Sequence, residues 1–326
     1  MRAAIRSRYG GPDGIELRTI DVPSLTAGQV LVKVRAASLN QVDHYELRGA
    51  PLLSRLMGGF RRPKEIGLGH DFAGDVVAVS PDVADPRVGD AVFGSSIRAF
   101  AEYVAVKAEG VVPKPATVSY EVAAAVPVAG LTALQGLRRH GDLQAGQRVL
   151  VTGAGGGVGG FGSRIAKALG AEVTATTRSW NLDRVRAMGV DRVFDSAARS
   201  GGAADALSVP DRYDLVLDVA GDRSMSALAR ATRPHGTIVI VGAWRVSMLR
   251  ILGWFAEARI GSRIRGRRIL FFISQRDRAD LQTLRELLVA GSITPDIERP
   301  YPLVEIAAAV RHLETFRTQG KVVVTT

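Results

Sequence analysis

The chain contains no cysteine. That excludes disulfides, a thiolate nucleophile and thiolate-bound metal together, and it fits a cytoplasmic setting. Long apolar runs are missing as well. The most extended uncharged stretch, Val122 to Leu137, is broken by Pro127, Gly130 and Gly136, so it is too short and too interrupted to cross a bilayer and reads as buried structure. Met1 to Arg8 lacks the apolar core of a signal peptide. There are no repeats or low-complexity segments, and no aromatic run is interleaved with basic residues, which leaves nucleic-acid binding without a motif.

What is present is ordinary for a globular protein: 46% apolar and 23% charged residues in 326, enough chain for two domains with a core each. The 43 basic and 32 acidic side chains leave a net charge of +11, which favours anionic partners such as a phosphorylated cofactor, nucleic acid or a membrane surface. Part of the excess falls in two clusters, Arg55, Arg61, Arg62 and Lys64, and Arg245 to Arg268.

The first 115 or so residues read as short strands and turns. Segments 2–8 and 15–20 flank a turn-rich break at Tyr9 to Gly14, Gln29 to Ala36 alternates like a half-buried strand, and Asn40 is placed to cap a short helix. From about residue 120 helices and strands alternate, with strands expected at 148–152, 172–176, 192–195, 215–219, 237–241 and 269–273. Such alternation implies a doubly wound parallel sheet with right-handed crossovers. Amphipathic helices over 278–288 and 303–316 and a terminal strand at 321–324 close the chain.

The centre of the pattern is Val149-Leu150-Val151-Thr152-Gly153-Ala154-Gly155-Gly156-Gly157-Val158-Gly159-Gly160, followed by a helix and a second strand, Glu172 to Thr176. A strand, a bare glycine turn and a helix start form a dinucleotide cradle, because a diphosphate can approach the backbone and meet unpaired N–H groups at the helix N-terminus. Gly155, Gly156, Gly157 and Val158 are the expected contacts. About 20 residues on, where an NAD-specific fold places an acidic residue on the ribose diol, this chain has Thr177-Arg178-Ser179. Arginine with neighbouring hydroxyls suits a 2′-phosphate, so NADPH is expected over NADH.

With these marks stand Ala37-Ser38-Leu39-Asn40-Gln41-Val42-Asp43, Gly69-His70-Asp71-Phe72-Ala73-Gly74, Ala99-Phe100-Ala101-Glu102-Tyr103-Val104, Val128-Ala129-Gly130-Leu131-Thr132-Ala133 and the closing Gly320-Lys321-Val322-Val323-Val324. Taken in order, they make the whole chain resemble the medium-chain dehydrogenase/reductase superfamily, in its zinc-independent quinone oxidoreductase branch. The resemblance implies an α/β chain: a β-rich GroES-like catalytic domain over 1–122, a doubly wound Rossmann domain binding NADP over 123–268, and a segment 269–326 that completes the Rossmann sheet edge and returns to the catalytic domain. It further implies an interdomain cleft, a homodimer, and cofactor contacts at Thr132 and Gly242.

Zinc-dependent members carry a cysteine where Asn40 stands and a histidine where His70 stands. A catalytic zinc needs three protein ligands around an open position, and His70 with Asp71 supplies no evident third, so no metal is expected. His70 reads as a turn histidine bonded to backbone, and Asp43 as a structural acid bonding backbone in its turn. His140, His235 and His312 carry no partner signature. Chemistry needing little Lewis-acid help then fits best: hydride delivery from NADPH to a quinone or to the β-carbon of an α,β-unsaturated carbonyl. The resemblance turns Asn40, Tyr45 and Thr132 toward nicotinamide and substrate, with Asn40 bonding the substrate oxygen and Tyr45 supplying a proton directly or through water. Leu52 to Phe60 and Trp244 to Phe272 are rich in large apolar residues and suit a lid, a dimer interface or a membrane-surface contact. The competing functions are an alcohol dehydrogenase, a polyketide-type enoyl reductase, and a nucleic-acid-binding or regulatory protein built on the cofactor fold.

Overall fold

The computed structural model describes residues 1–50, 55, 58–198, 202–241, 253 and 266–326. Gly242, Leu52, Leu53 and most of the apolar segment after Trp244 lie outside these residues. The chain divides into two compact units, Met1–Leu131 with Arg276–Thr326, and Thr132–Gln275.

In the first unit β1 (Arg2–Arg6) and β2 (Ile15–Thr19) form an antiparallel pair around the expected turn. β3 (Gln29–Ser38) leads into helix α1 (Gln41–Arg48), and β4 (Asp71–Val79), β5 (Ala91–Ser95), β6 (Tyr103–Lys107) and β7 (Val111–Pro113) follow. Helices α2 (Tyr120–Ala124) and α3 (Pro127–Gln135) come next, and the boundary between the units falls inside α3.

The second unit is the parallel sheet. β8 (Arg148–Thr152), α4 (Gly157–Ala168), β9 (Glu172–Thr177), α5 (Leu182–Arg186), β10 (Arg192–Asp195), β11 (Tyr213–Asp218), α6 (Met225–Ala231), β12 (Thr232–Ile240) and β13 (Arg268–Phe271) build the order β10-β9-β8-β11-β12-β13, every neighbour parallel. A parallel sheet is covered on both faces, so its strands need continuous rather than alternating apolar residues. Val149, Leu150 and Val151 are accordingly all fully buried.

After Gln275 the chain re-enters the first unit through α7 (Arg278–Val289), β14 (Ile297–Pro302), α8 (Ile306–Glu314) and β15 (Lys321–Thr325). The seven-stranded sheet there runs β14-β15-β3-β4-β5-β7, with β6 also on β3. Its core gathers Phe72, Phe100, Val32 and Leu39 with Val310, Val322 and Val324 from the returning segment, so the last 51 residues supply part of the first unit's apolar interior. Two registers of this sheet position polar side chains. β4 sets Asp71 opposite Ser38, and β15 sets Val323 opposite Ser38 in antiparallel sense, so two residues further along Lys321 comes level with Asn40.

Candidate active site

In the second unit the glycine turn is built as its sequence requires. Gly153 takes φ +68°, the left-handed region that a side chain avoids. A Cβ at Gly159 would stand 2.2 Å from the Gly153 carbonyl oxygen, and one at Gly155 would stand 2.5 Å from Asn181 Nδ2 and Thr177 Oγ1. These two glycines are therefore needed for the turn to close. Gly156 is different: the nearest atom to an added Cβ is 3.6 Å away, so internal packing does not demand glycine there. It occupies the N-cap of α4 with no side chain capping the helix, which leaves the first-turn N–H groups for an outside acceptor. Open space beside uncapped donors fits a diphosphate. Val158 lies half-buried in the first turn.

Behind the turn, Arg184 braces it through a hydrogen bond to the Gly155 carbonyl, while its Nη2 donates to Asn181 Oδ1 at 2.9 Å. Thr177 is buried at the end of β9, and Arg178 and Ser179 are exposed immediately after it. Among the described residues the Arg178 guanidinium has no acidic neighbour in ion-pair range. At the end of β11, buried Asp218 accepts from Thr152 Oγ1 at 2.6 Å, and that hydroxyl accepts in turn from the Val219 and Ala220 N–H groups. Burial pushes the Asp218 carboxyl up to about 6. Thr132 is 7% exposed and donates to Ser274 Oγ at 3.0 Å. One turn on, Gln135 exchanges two 2.9 Å bonds with the Gln275 backbone, so α3 is clasped to the segment after β13.

In the first unit the registers gather a buried polar cluster at the start of α1. Lys321 Nζ donates to Asn40 Oδ1 at 2.5 Å and to the Leu39 carbonyl at 2.9 Å, and stands 3.8 Å from Asp71 Oδ2. Asn40 Nδ2 donates to Asp71 Oδ2 at 2.8 Å and to the Ser38 carbonyl at 3.4 Å. Asp71 Oδ1 accepts from the Val128 N–H at 3.0 Å. Both amide hydrogens of Asn40 are thus taken internally, and its side chain holds β4 and β15 together. The expected role of bonding a substrate oxygen would need one of these donors released. Burial pushes Asp71 up and Lys321 down, each opposed by the other's charge.

Asp43 Oδ2 accepts the Asn40 backbone N–H at 2.6 Å, while its buried Oδ1 has no hydrogen-bond partner. Burial raises this carboxyl to about 7. His70 is not the backbone-bonded turn histidine the sequence suggests. Its Nε2 lies 3.1 Å from Glu46 Oε2 and 4.0 Å from Asp43 Oδ1, and Arg276 Nη2 is 3.4 Å from Nδ1. Burial disfavours the imidazolium, but the Glu46 hydrogen bond and the Asp43 charge outweigh it and raise His70 overall. His312 also gains a partner that its sequence context does not signal, Glu298 at 2.9 Å. Tyr45 sits half-buried on α1 with its ring edge-on to His44, whose Nδ1 meets Glu314 Oε1 at 2.9 Å.

Asn40, which stands where zinc-dependent members carry a thiolate, has its amide fully engaged, and His70 Nε2 faces Glu46. Among the described residues no three His, Cys, Asp or Glu side chains are grouped to hold a metal, and no helix is long and apolar enough to cross a membrane. Glu46, Lys321 and Arg276 in the first unit's polar cluster, and Asp218 beside the glycine turn of the second unit, are residues to which sequence reasoning gave no role. The level pairing of Lys321 with Asn40 follows from the β3–β15 register and is visible only once the strands are paired.

Residues 26–116 match the model of the alcohol dehydrogenase GroES-like domain, and residues 169–324 match that of the zinc-binding dehydrogenase. The chain is 30% identical over 344 residues to the NADPH-dependent alkenal/one oxidoreductase, chloroplastic, of Arabidopsis thaliana, covering 99% of this chain and 79% of that one. It is 33% identical over 301 residues to the spectinabilin polyketide synthase system protein NorB of Streptomyces orinoci, covering 92% of this chain but only 13% of that much longer protein. Its fold superposes on the quinone oxidoreductase from Coxiella burnetii with a TM-score of 0.85 at 27% identity, covering 100% of this chain and 99% of that one. The chain belongs to the medium-chain dehydrogenase/reductase superfamily.

Proposed function

We propose that the protein transfers a hydride from NADPH to a quinone or an α,β-unsaturated carbonyl compound, without a metal. The observation that carries this reading is the space at Gly156, left open at the uncapped start of α4. Arg178 and Ser179, exposed after the neighbouring strand β9, add the 2′-phosphate contact. The Arabidopsis relative's use of NADPH and its alkenal/one substrates support the same choice.

Bound there, the dihydronicotinamide supplies the hydride. The protein's part begins with the N–H groups of Gly157 and Val158, which hold the diphosphate, and with Arg178, whose charge-assisted bonds select the phosphorylated ribose. Thr132 is held by Ser274 at the segment that closes the unit. Hydride addition to the β-carbon leaves electron density on the conjugated carbonyl, and a proton must follow. Tyr45 is the group proposed to supply it, directly or through water. Asn40 then acts by position, tying the start of α1 to Asp71 and Lys321. The absence of cysteine supports a reducing compartment such as the cytoplasm, and the family resemblance supports a homodimer.

The test is an equilibrium titration of NADPH and NADH on the wild type and on Arg178→Ala, followed by NADPH oxidation with a panel of quinones and enones. The reading expects NADPH to bind tighter, Arg178→Ala to erase that preference, and a panel member to be consumed. Failure of both cofactors to bind overturns it.

A further inference from the structure

Between α1 and β4 the first unit carries a short basic loop that none of the chemistry above uses. Gly58-Gly59-Phe60-Arg61-Arg62-Pro63-Lys64 closes on itself, the Lys64 N–H donating to the Gly58 carbonyl at 2.8 Å. Gly59 turns the chain at φ +109°, and a Cβ there would stand 2.1 Å from the Arg62 carbonyl oxygen, so the loop doubles back tightly over it. Its base is anchored. Tyr9 Oη donates to the Gly59 carbonyl at 2.7 Å, and the Arg55 guanidinium lies 4.7 Å from the centre of the Tyr9 ring. Pro63 is buried, which leaves Phe60, Arg61, Arg62 and Lys64 facing solvent.

Two features set this loop apart from ordinary surface. Phe60 is 61% exposed, more than any other phenylalanine or tryptophan among the described residues, and the anchored loop holds its ring outward. The charge around it is also uncompensated. Glu65 is the one acid between residues 58 and 66, and it is taken by Arg98 in a two-point pair at 2.7 and 3.0 Å. Among the described residues Arg61, Arg62 and Lys64 enter no ion pair. Three free cations therefore flank one exposed aromatic ring within five residues.

That combination matches the surface of an anionic bilayer. An aromatic ring gains by entering the headgroup layer, while arginine and lysine lay their apolar stems along it and bring their charged ends to lipid phosphates. A single-stranded nucleic acid calls for successive aromatic platforms along a basic groove, and this loop offers one ring. The chain's net charge of +11 adds long-range attraction to a negative surface. We propose that the loop docks the protein on an anionic membrane surface, with Phe60 entering the headgroup layer and Arg61, Arg62 and Lys64 pairing lipid phosphates. One ring and three cations give a reversible, peripheral attachment. The proposal stands apart from the reductase reading, since docking needs neither cofactor nor turnover.

The experiment is co-sedimentation with vesicles of phosphatidylcholine alone and of phosphatidylcholine mixed with phosphatidylglycerol, at low and at physiological salt. The proteins are the wild type, Phe60→Ser, Phe60→Trp, the triple variant Arg61→Gln, Arg62→Gln and Lys64→Gln, and a control triple variant Arg192→Gln, Arg230→Gln and Arg268→Gln. The control removes the same charge from exposed positions of the second unit. The wild type should bind the anionic vesicles and not the neutral ones, more weakly as salt rises. At about fivefold per cation, the loop triple variant should bind about a hundredfold more weakly, and the control should stay close to the wild type. Phe60→Ser should weaken binding by about tenfold, whereas Phe60→Trp should retain it and shift its fluorescence to the blue on anionic vesicles only. Absence of vesicle binding, equal binding to both lipid mixtures, or equal losses in the two triple variants overturns the proposal. Two other results would also overturn it: Phe60-dependent binding of an oligonucleotide or Phe60-dependent self-association without vesicle binding, and a changed KM for a water-soluble quinone in Phe60→Ser with vesicle binding intact. If the vesicle results hold while no quinone or enone is turned over, the docking loop stands and the reductase reading falls.

Discussion

Replacing Asp43 by asparagine should make the protein more stable at alkaline pH, and the gain should depend on pH in a calculable way. Asp43 is 3% exposed, keeps one oxygen unpartnered, and ionises only near 7 against 3.8 for the free side chain. A carboxyl held so far above its unfolded value binds its proton more tightly in the folded state. The stability this group favours is therefore complete below 3.8 and is lost as pH rises through about 7. At full ionisation the cost is about 4 kcal/mol, a figure that already includes the relief His70 and the Asn40 N–H give the buried charge. Asparagine keeps an acceptor for that N–H and carries no charge, so the slope disappears. The variant's advantage should grow by about 2–3 kcal/mol between roughly pH 5 and pH 8. The other groups facing Asp43 are Glu46 and Asp71, whose charges raise it further, and His70, Lys321 and Arg6. Removing Asp43 weakens one pull that raises His70, and since a raised histidine also loses its stabilisation as pH rises, this change has the same sign. Asp218 adds a slope between 3.8 and about 6 in both proteins, which cancels in the difference. Urea unfolding midpoints of the two proteins at the two pH values are the assay. A difference that stays flat, or that favours the wild type increasingly with pH, would refute the buried-acid reasoning.

Three further outcomes are expected. Gly155→Ala should destabilise the protein by about 1–3 kcal/mol, because its Cβ would meet Asn181 Nδ2 and Thr177 Oγ1 at 2.5 Å; thermal unfolding reads this directly. Gly156→Ala, whose Cβ has no neighbour closer than 3.6 Å, should leave the melting temperature in place while weakening NADPH binding by about tenfold or more, since the methyl group fills the diphosphate's space; equal affinity for the two proteins would rule out a diphosphate cradle at this turn. Lys321→Met should cost about 3–5 kcal/mol, the usual penalty for stranding the partner of a buried ion pair, and adding Asp71→Asn should recover part of that loss in denaturant unfolding.

How much of the fold and site the sequence discloses depends on how local each feature is. The parallel strands stand out because burial on both faces writes continuous apolar runs such as Val149 to Val151, and the glycine turn stands out because its constraints lie within one strand-turn-helix unit. β14 is not legible: Pro300 and Pro302 suppress the strand signal, and among the described residues its one ladder is with β15 at the sheet edge. The Asn40 cluster is illegible for a different reason. Lys321 is 281 residues from Asn40, and Glu314 is 270 residues from His44, so neither pairing leaves a local trace. Only the folding of the last segment back into the first unit brings them together. His70 illustrates the consequence, since its sequence neighbours suggest a turn and its chemistry is set by Glu46, Asp43 and Arg276 from elsewhere in the chain.

The most direct test of the central claim is NADPH oxidation by chelator-treated protein in the presence of a quinone or an enone, followed by the loss of reduced-nicotinamide absorbance and by product analysis. The account predicts turnover that survives chelation, is faster with NADPH than with NADH, and yields the hydroquinone or the saturated carbonyl. Activity that appears only when zinc is restored, with alcohol as the oxidised substrate, would contradict it.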